Sequence, residues 1–333
     1  MKKKSPSIQE IVAGIFAGNR ALLAQAITLM ESNAPSHRKQ AREVLQQILP
    51  QTGNSIRLGI TGVPGAGKST LINALGTFLC RQKLKIAVLA IDPSSSVTMG
   101  SILGDKTRMA ELSRKKNCFI RPSPTGGRLG GVTYKTRETI LLCEAAGYEI
   151  IFVETVGVGQ SELLIRSMVD VVLLLTLTGA GDELQNIKKG IIEVADIVLM
   201  HKADGDNKRA AERTAHEIKK TLRCFSGGRD SRIPVVLTCS ALKEKSIQAL
   251  WQSIEQLRKQ LGTTGEFKTN RRNQLIKWLD DDILEKLRTS FFENERIADS
   301  LARCRSDVLK EKMTVSAASE FLFELYKNHD QKD

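Results

Sequence analysis

A glycine-rich turn that ends in lysine and serine is the first stretch of this sequence whose residue types suggest chemistry. The run GVPGAGKST fits the pattern G-x-x-x-x-G-K-[ST] between an apolar run and a helical segment. Backbone N–H groups of such a turn converge on an anion at the positive end of the following helix. The pattern predicts a phosphate site, with Lys68 on the β- and γ-phosphates and Ser69 on Mg²⁺. We expect the whole turn to bind nucleotide: Gly62, Val63, Pro64, Gly65, Ala66, Gly67, Lys68, Ser69 and Thr70.

Acidic side chains that follow other apolar runs could complete a metal site. Glu154 ends the run IIFVE, Asp92 ends VLAID, and Asp105 lies in the segment LGDKTRM. Carboxylate oxygens are the ligands that Mg²⁺ prefers, so we expect these three residues to join Ser69 around the ion. For Glu154 a surface cap, and for Asp92 a plain Asp-Pro turn, are the alternatives. Gln160 is a candidate to orient water for catalysis with Lys68, Asp92 and Glu154, and a solvent-facing loop glutamine is its alternative.

The run IVLMHKADGDN has the order of a base-reading loop at the end of a strand. The Asp204 carboxylate can accept hydrogen bonds from N1–H and N2–H₂ of guanine, whereas adenine offers neither donor there. His201 stands where such loops usually have Asn, and its ring nitrogen could replace part of the asparagine's bonding to N7 and to the glycine-rich turn. A solvent-facing histidine is the alternative. Lys202 would lay its stem along the base, and O6 would be bound from the segment Ser240, Ala241 and Leu242.

Composition and charge bear on the class of partner. The formal net charge is +13 over 333 residues, but the basic residues interleave with acids at helical spacing, which is typical of solvated helix faces. We therefore expect no nucleic-acid partner. No run approaches the roughly 20 apolar residues of a membrane span, so we expect no membrane partner. The 6 cysteines form no Cys-x-x-Cys pair, which favours free thiols and a cytoplasmic location.

The elements that must position these residues alternate between apolar runs and helical segments. SIRLGITG, KIAVLAID, EIIFVETVG, DVVLLLTLTG, DIVLMHKAD and IPVVLTCSA are short, β-branched and nearly continuous in apolar residues. Such runs are typical of parallel strands covered on both faces. They predict an α/β fold, a P-loop NTPase whose mostly parallel sheet is flanked by helices. We expect an N-terminal helical segment at 1–50, a nucleotide-binding domain at 51–262 and a C-terminal helical extension at 263–333.

Taken together, these stretches resemble the MeaB/ArgK GTPases, in the SIMIBI class of P-loop proteins. GITGVPGAGKSTLINALG, AVLAIDPSSS, RPSPTGGRLGGV, VETVGVGQSE and HKADGDN are all similar to that family, and the match covers most of the chain. The resemblance implies a GTPase that binds GTP or GDP with Mg²⁺ and acts as a chaperone of an adenosylcobalamin-dependent acyl-CoA mutase. Methylmalonyl-CoA mutase is the usual partner in the family, and isobutyryl-type mutases are an alternative.

The resemblance also implies how such a chaperone works. Family members gate cofactor loading, protect the mutase, and form homodimers through a C-terminal helical extension. The segment GAGDELQNIKKG is similar to the loop that senses the mutase, with Asp182, Gln185 and Lys188 as participants. A solvated helix start is the alternative for the lysines. His201 departs from the family's asparagine.

Two other functions remain open at this stage. Older family naming invokes a kinase linked to amino-acid transport, against which the Lys-x-Asp pattern argues. A GDP-bound scaffold without catalysis is the second. Because no residue stands out as a general base, we expect slow intrinsic GTP hydrolysis that a mutase accelerates.

Overall fold

The computed structural model describes seven stretches of the chain. Of Asp92, which ends one of them, it describes the backbone and not the side chain. The described residues are 6–32, 34–92, 108–124, 129–155, 161–178, 194–225 and 233–330.

Seven parallel strands form one sheet in the part of the chain that is described. In chain order they are β1 (Ile56–Gly62), β2 (Ile86–Asp92), β3 (Cys118–Pro124), β4 (Ile150–Thr155), β5 (Val171–Thr176), β6 (Ile197–Met200) and β7 (Val235–Thr238). Their order in the sheet is β3-β2-β4-β1-β5-β6-β7, and every pairing is parallel. The predicted fold class is confirmed.

Strand β3 is the one strand of this sheet that the apolar runs did not predict. Pro122 and Pro124 interrupt its sequence. Proline cannot donate to a strand ladder and is tolerated at the edge of a sheet. Because β3 pairs with β2 alone, it lies at such an edge and accommodates both prolines.

Helices cover both faces of the sheet, as the apolar strands require. Those of the first part of the chain are α1 (Ile8–Phe16), α2 (Arg20–Glu31), α3 (Pro35–Ile48), α4 (Lys68–Arg81), α5 (Ala110–Ser113), α6 (Leu129–Ala145), α7 (Ser161–Arg166), α8 (Lys208–Phe225) and α9 (Glu244–Thr263). Within β2, Val88 joins a buried cluster with α4 and α9, and Leu89 joins one with the N-terminal helices and α6. Successive strand residues point to opposite faces, so α1 to α3 pack on the sheet itself.

The chain divides into two compact units, Met1–Gln274 and Leu275–Asp333. Segment 1–50 is part of the first unit because its helices share a buried cluster with the strands. The second unit contains the end of α10 (Glu266–Phe292), together with α11 (Glu295–Leu309) and α12 (Val315–Asp330). Ile297, Cys304, Ala318 and Leu322 form its core. None of the described helices is long and apolar enough to cross a membrane.

The first turns of α10 belong to the first unit because their polar side chains bond to it. Arg271 donates from Nε and Nη2 to the two Asp170 carboxylate oxygens, both at 2.8 Å. It also donates to the carbonyls of Gly53 and Ser55, at 2.6 and 2.7 Å. The Gln274 amide donates to the carbonyl of Val169 at 2.7 Å. These bonds explain why the compact division follows residue 274, whereas the helical extension was expected from 263.

A second buried carboxylate lies beside this arginine. Glu144 accepts from Nε and Nη2 of Arg57 at 2.9 and 3.0 Å, and from the Ser55 hydroxyl at 2.6 Å. Burial alone would raise the pKa of Glu144, but Arg57, Ser55 and Arg271 outweigh it and hold the pKa below its usual value. Glu144 is therefore ionised, with Arg57 and Arg271 as its charged partners.

Candidate functional site

The glycine-rich turn joins the end of β1 to the start of α4. Gly62, the last residue of β1, has φ +144°, and a Cβ there would lie 2.2 Å from the Leu175 carbonyl oxygen. Gly67, which precedes α4, has φ +88°, in the left-handed region that favours glycine. No described side chain caps the N-terminus of α4. Its first N–H groups therefore point to the turn as donors for an anion.

The two polar side chains at the start of α4 already have partners at the strand ends. The Lys68 ammonium donates to the carbonyls of Gly62 and Val63, at 2.8 and 3.3 Å. The Ser69 hydroxyl donates to Oε1 of Glu154 at 2.9 Å. Glu154 lies in β4, which pairs with β1, and its side chain is buried. It is therefore a buried carboxylate under the turn, which argues against a surface cap.

The chemistry of this pair fits Mg²⁺. A hydroxyl and a carboxylate oxygen are hard donors of the kind that Mg²⁺ binds, and the anion that would complete its shell belongs at the adjacent turn. Among the described residues no group of three or more His, Cys, Asp or Glu side chains could hold a metal, and of the predicted ligand set the structure describes the side chains of Ser69 and Glu154. Of the other two expected ligands, Asp105 lies outside the described residues. The backbone of Asp92 lies at the end of β2, one residue past the Ile91–Thr155 pair.

Four further expected residues also lie outside the described part of the chain. They are Gln160, Asp182, Gln185 and Lys188.

The base-reading loop follows β6 and is joined to the segment after β7. Ala203 N–H donates to the Cys239 carbonyl at 3.1 Å, and Cys239 N–H donates to the Met200 carbonyl at 2.8 Å. Ser240 is buried, and its hydroxyl donates to Oδ2 of Asp204 while it accepts from Leu242 N–H at 3.2 Å. One oxygen of the Asp204 carboxylate is thus held by Ser240, and no described residue donates a hydrogen bond to the other.

Asn207 is a residue of this loop that the motif did not single out. Its amide donates to the Lys202 carbonyl at 2.8 Å and accepts from the Thr178 hydroxyl. Lys202 has φ +56°, which is unfavourable for a residue with a side chain. The Asn207 bond stabilises that conformation. The asparagine three residues after Asp204 in HKADGDN was the available sequence signal.

His201 faces the glycine-rich turn. It is 2% exposed, and its Nδ1 lies 2.7 Å from the Ala66 carbonyl oxygen. Nε2 is buried and has no hydrogen-bond partner among the described residues. Burial lowers the pKa of His201, although the bond to Ala66 opposes this. The solvent-facing alternative for His201 is wrong, and the ring is neutral at neutral pH.

Contact between this ring and Gly67 leads to a prediction about stability. A Cβ on Gly67 would lie 2.7 Å from Nδ1 and 2.8 Å from Cε1 of His201, whereas a Cβ on Gly65, at φ +79°, has no atom within 4 Å. Both Gly→Ala changes add left-handed strain of about 1–2 kcal/mol, but only Gly67→Ala adds overpacking of about 1–3 kcal/mol. We expect Gly67→Ala to lower the free energy of unfolding of the nucleotide-free protein by about 1–3 kcal/mol more than Gly65→Ala does. Urea unfolding measures this difference.

A double variant provides the control for this prediction. His201→Ala removes the ring, so Gly67→Ala should then be no more destabilising than Gly65→Ala, a non-additivity of the kind that contacting residues show. Equal effects of Gly65→Ala and Gly67→Ala in the wild-type background would contradict the contact.

Comparison with known proteins gives matches along nearly the whole chain. The profile of the family described as methylmalonyl Co-A mutase-associated GTPase MeaB matches residues 23–296. The GTPase ArgK of Escherichia coli (strain K12) is 43% identical over 320 residues, 95% of this chain and 97% of that protein. A Mus musculus protein named methylmalonic aciduria type A homolog, mitochondrial, is 39% identical over 336 residues, 98% of this chain and 81% of that one.

A solved structure matches the fold over the same extent. The crystal structure of a protein titled LAO/AO transport system kinase superposes with a TM-score of 0.76 at 35% identity, covering 98% of this chain and 100% of that one.

Proposed function

Because the chain belongs to the MeaB family of methylmalonyl-CoA mutase-associated GTPases, we propose that it is the GTP-dependent chaperone of an adenosylcobalamin-dependent acyl-CoA mutase. GTPase activity follows from the family. One observation supports this function from the chain's own residues: the phosphate turn and the Asp204 loop meet at the same edge of the sheet, where His201 contacts Ala66. We propose that the partner is methylmalonyl-CoA mutase and that the chain gates cofactor loading and protects the mutase in the cytoplasm.

The described residues support a mechanism of phosphoryl transfer to water. In this reaction water attacks the γ-phosphorus, the bond to the β–γ bridging oxygen breaks, and negative charge is spread over the phosphate oxygens. Lys68 and the N–H groups at the start of α4 would stabilise that charge. Mg²⁺, when bound, would neutralise the β- and γ-phosphates. Ser69 and Glu154 would hold it, and we include Asp92 and Asp105 in the proposed ligand set.

Hydrolysis by the isolated chain should be slow. The sequence offers no residue that stands out as a general base for the attacking water. Gln160 is the proposed residue that orients the attacking water. We propose that the mutase accelerates the reaction through the segment that contains Asp182, Gln185 and Lys188.

Phosphate release from Mg²⁺·GTP, measured with and without the mutase, tests this function. We expect slow release by the chain alone and release at least about tenfold faster with the mutase, since ordering a catalytic residue is typically worth that much or more. Loading of adenosylcobalamin into the apo-mutase should depend on GTP hydrolysis. Hydrolysis without any response to the mutase would contradict the chaperone role, and no hydrolysis under either condition would favour the GDP-bound scaffold.

Glu154→Gln should separate metal binding from nucleotide binding. Removal of the charge from a residue at a metal site typically lowers metal affinity or activity by about 10- to 100-fold, so we expect a loss of at least that size in hydrolysis and a higher Mg²⁺ requirement. Glu149→Gln is the matched control because Glu149 precedes the opposite end of β4 and bonds the Lys85 N–H at 3.0 Å. Equal hydrolysis by both variants would remove Glu154 from the metal site.

The second unit supports the proposal of a homodimer. Leu279 on α10 is 59% exposed, and no apolar residue of α10 is buried. Exposed apolar side chains recur along this helix at spacings of three and four, as in helices that pair with another helix. They are Leu275, Ile276, Leu279, Ile283, Leu284 and Leu287. Sedimentation equilibrium should show a dimer for the wild type and a monomer for Leu279→Glu combined with Ile283→Glu.

A kinase is the second candidate function, because a related structure is titled a transport system kinase. A kinase would transfer the γ-phosphoryl group to a protein acceptor instead of to water. With γ-labelled GTP or ATP, we expect label from GTP in free phosphate only. Label retained on a partner protein would favour the kinase.

A further inference from the structure

We propose that His201 is a positioning residue for the phosphate turn and does not read the base, so that this site selects guanine through Asp204 without a contact at N7. The inference rests on the proposed guanine-nucleotide site. In this proposal His201 contacts Ala66 and Gly67. It does not make the contact with the base that an asparagine at this position would be expected to make.

The first step concerns the nitrogen that contacts the turn. Nδ1 of His201 lies 2.7 Å from the Ala66 carbonyl oxygen. A carbonyl can only accept, so Nδ1 carries the hydrogen and donates it. In asparagine Nδ2 is also attached to Cγ, at the same number of bonds from the backbone. Histidine therefore keeps a δ-nitrogen donor for Ala66 at a position where asparagine is usual.

The second step concerns the other nitrogen of the ring. A neutral imidazole has one N–H, so Nε2 of His201 is an acceptor. Guanine N7 is also an acceptor, and two acceptors cannot form a hydrogen bond. Nε2 is buried as well, so it does not face the open surface through which a base must enter. Both the chemistry and the burial of Nε2 exclude a bond to N7.

Protonation of the ring would supply a second N–H, and the surroundings of His201 disfavour it. Burial is the main cause of the lowered pKa. The neighbouring Lys202 lowers it further, whereas the bond to Ala66 and the charge of Asp204 raise it. The neutral form with hydrogen on Nδ1 is therefore the one that a nucleotide meets at neutral pH.

The third step is the effect of this contact on phosphate binding. The ring contacts two successive residues of the turn, Ala66 and Gly67, which directly precede Lys68. The backbone of His201 is itself fixed, because its N–H donates to the Thr176 carbonyl at 2.9 Å. Removing the ring should loosen the turn for any nucleotide. Removing a base contact would instead affect only nucleotides that offer the matching base atom.

Binding of GDP and 7-deaza-GDP, in which a C–H group replaces N7, distinguishes the two roles. We expect the wild type to bind both with affinities within about twofold. His201→Leu should lower both affinities equally, by about threefold to tenfold, which corresponds to one lost neutral hydrogen bond. His201→Asn restores the δ-nitrogen donor and carries a second amide hydrogen, so it should recover GDP affinity and prefer GDP over 7-deaza-GDP by about threefold to tenfold.

Each other outcome has a definite meaning. A wild type that prefers GDP over 7-deaza-GDP by fivefold or more reads N7, and the proposal is overturned. It is also overturned if His201→Leu leaves both affinities unchanged, or if His201→Asn fails to recover GDP affinity. If His201→Leu does not fold, the comparison of wild type with His201→Asn still decides whether N7 is read. A wild type that binds neither nucleotide would instead contradict the proposed function.

Discussion

Replacing Asp204 by alanine should lower the affinity for GDP by about two to four orders of magnitude and leave the affinity for ADP nearly unchanged. The carboxylate is proposed to accept from both N1–H and N2–H₂ of guanine. Hydrogen bonds to charged groups contribute about 1.5–3 kcal/mol each, so two lost bonds amount to about 3–6 kcal/mol, and each 1.4 kcal/mol is a factor of ten. Adenine has no donor at either position and should not respond.

Titration calorimetry with GDP and ADP, each with Mg²⁺, measures this effect directly. Asp206→Ala is the matched control, because it removes the same group from an exposed position two residues further along the loop. It should change neither affinity by more than about twofold, which corresponds to about 0.5 kcal/mol, the usual range for surface substitutions. If the ratio of GDP affinity to ADP affinity is the same in Asp204→Ala and Asp206→Ala, Asp204 does not recognise the base.

Asp204→Asn tests the same contact by changing which base fits. Xanthine keeps the N1–H donor but has a carbonyl at C2, where guanine has an amino group. An asparagine amide can accept from N1–H and donate to that carbonyl. We therefore expect Asp204→Asn to bind xanthosine diphosphate more tightly than GDP. A variant that still prefers GDP would contradict the bidentate arrangement.

Arg271→Ala should destabilise the first unit by about 3–5 kcal/mol, the usual effect of removing one partner from a buried ion pair. The side chain of Asp170 is only 2% exposed and that of Arg271 only 14%. Without the guanidinium, Asp170 keeps its bond to the Arg57 N–H at 2.7 Å but loses its charged partner. The carbonyls of Gly53 and Ser55 also lose their donors.

Urea unfolding followed by tryptophan fluorescence measures this loss. The chain has 2 tryptophans, and Trp251 is buried in α9 of the first unit, so Trp278→Phe provides a background in which the signal comes from that unit. Arg288→Ala is the control because Arg288 forms an exposed pair with Glu285, and exposed pairs contribute little to stability. If the two arginine variants shift the midpoint equally, the buried pair does not stabilise the unit.

The sheet could be predicted from the sequence because its strands are buried on both faces and are therefore almost continuously apolar. Strand β3 could not, since its prolines are acceptable only at an edge, and the position of a strand in the sheet depends on the whole topology. Likewise, Glu154 was expected near Ser69 because carboxyl ends of parallel strands meet at one edge. For His201 the sequence could not decide between a contact with the glycine-rich turn and a solvent-facing ring. Burial of this loop side chain depends on Ala66, which is 135 positions away.

The pairing of Arg271 with Asp170 had no sequence signal. The two residues are 101 positions apart, and neither belongs to a motif. A buried ion pair depends on the three-dimensional arrangement of the chain, whereas the phosphate turn is encoded in eight consecutive residues. Membership of the family was evident from several such short runs, and the comparisons confirm it.

The bonds of Lys68 to its own turn have a consequence for the kinetics of nucleotide exchange. The ammonium donates to the carbonyls of Gly62 and Val63, so the turn itself offers this lysine acceptors that can replace phosphate oxygens. We therefore expect the loss of phosphate contacts at Lys68 to be offset by acceptors of its own turn, so that the lifetime of the GDP complex depends mainly on the other contacts of the nucleotide.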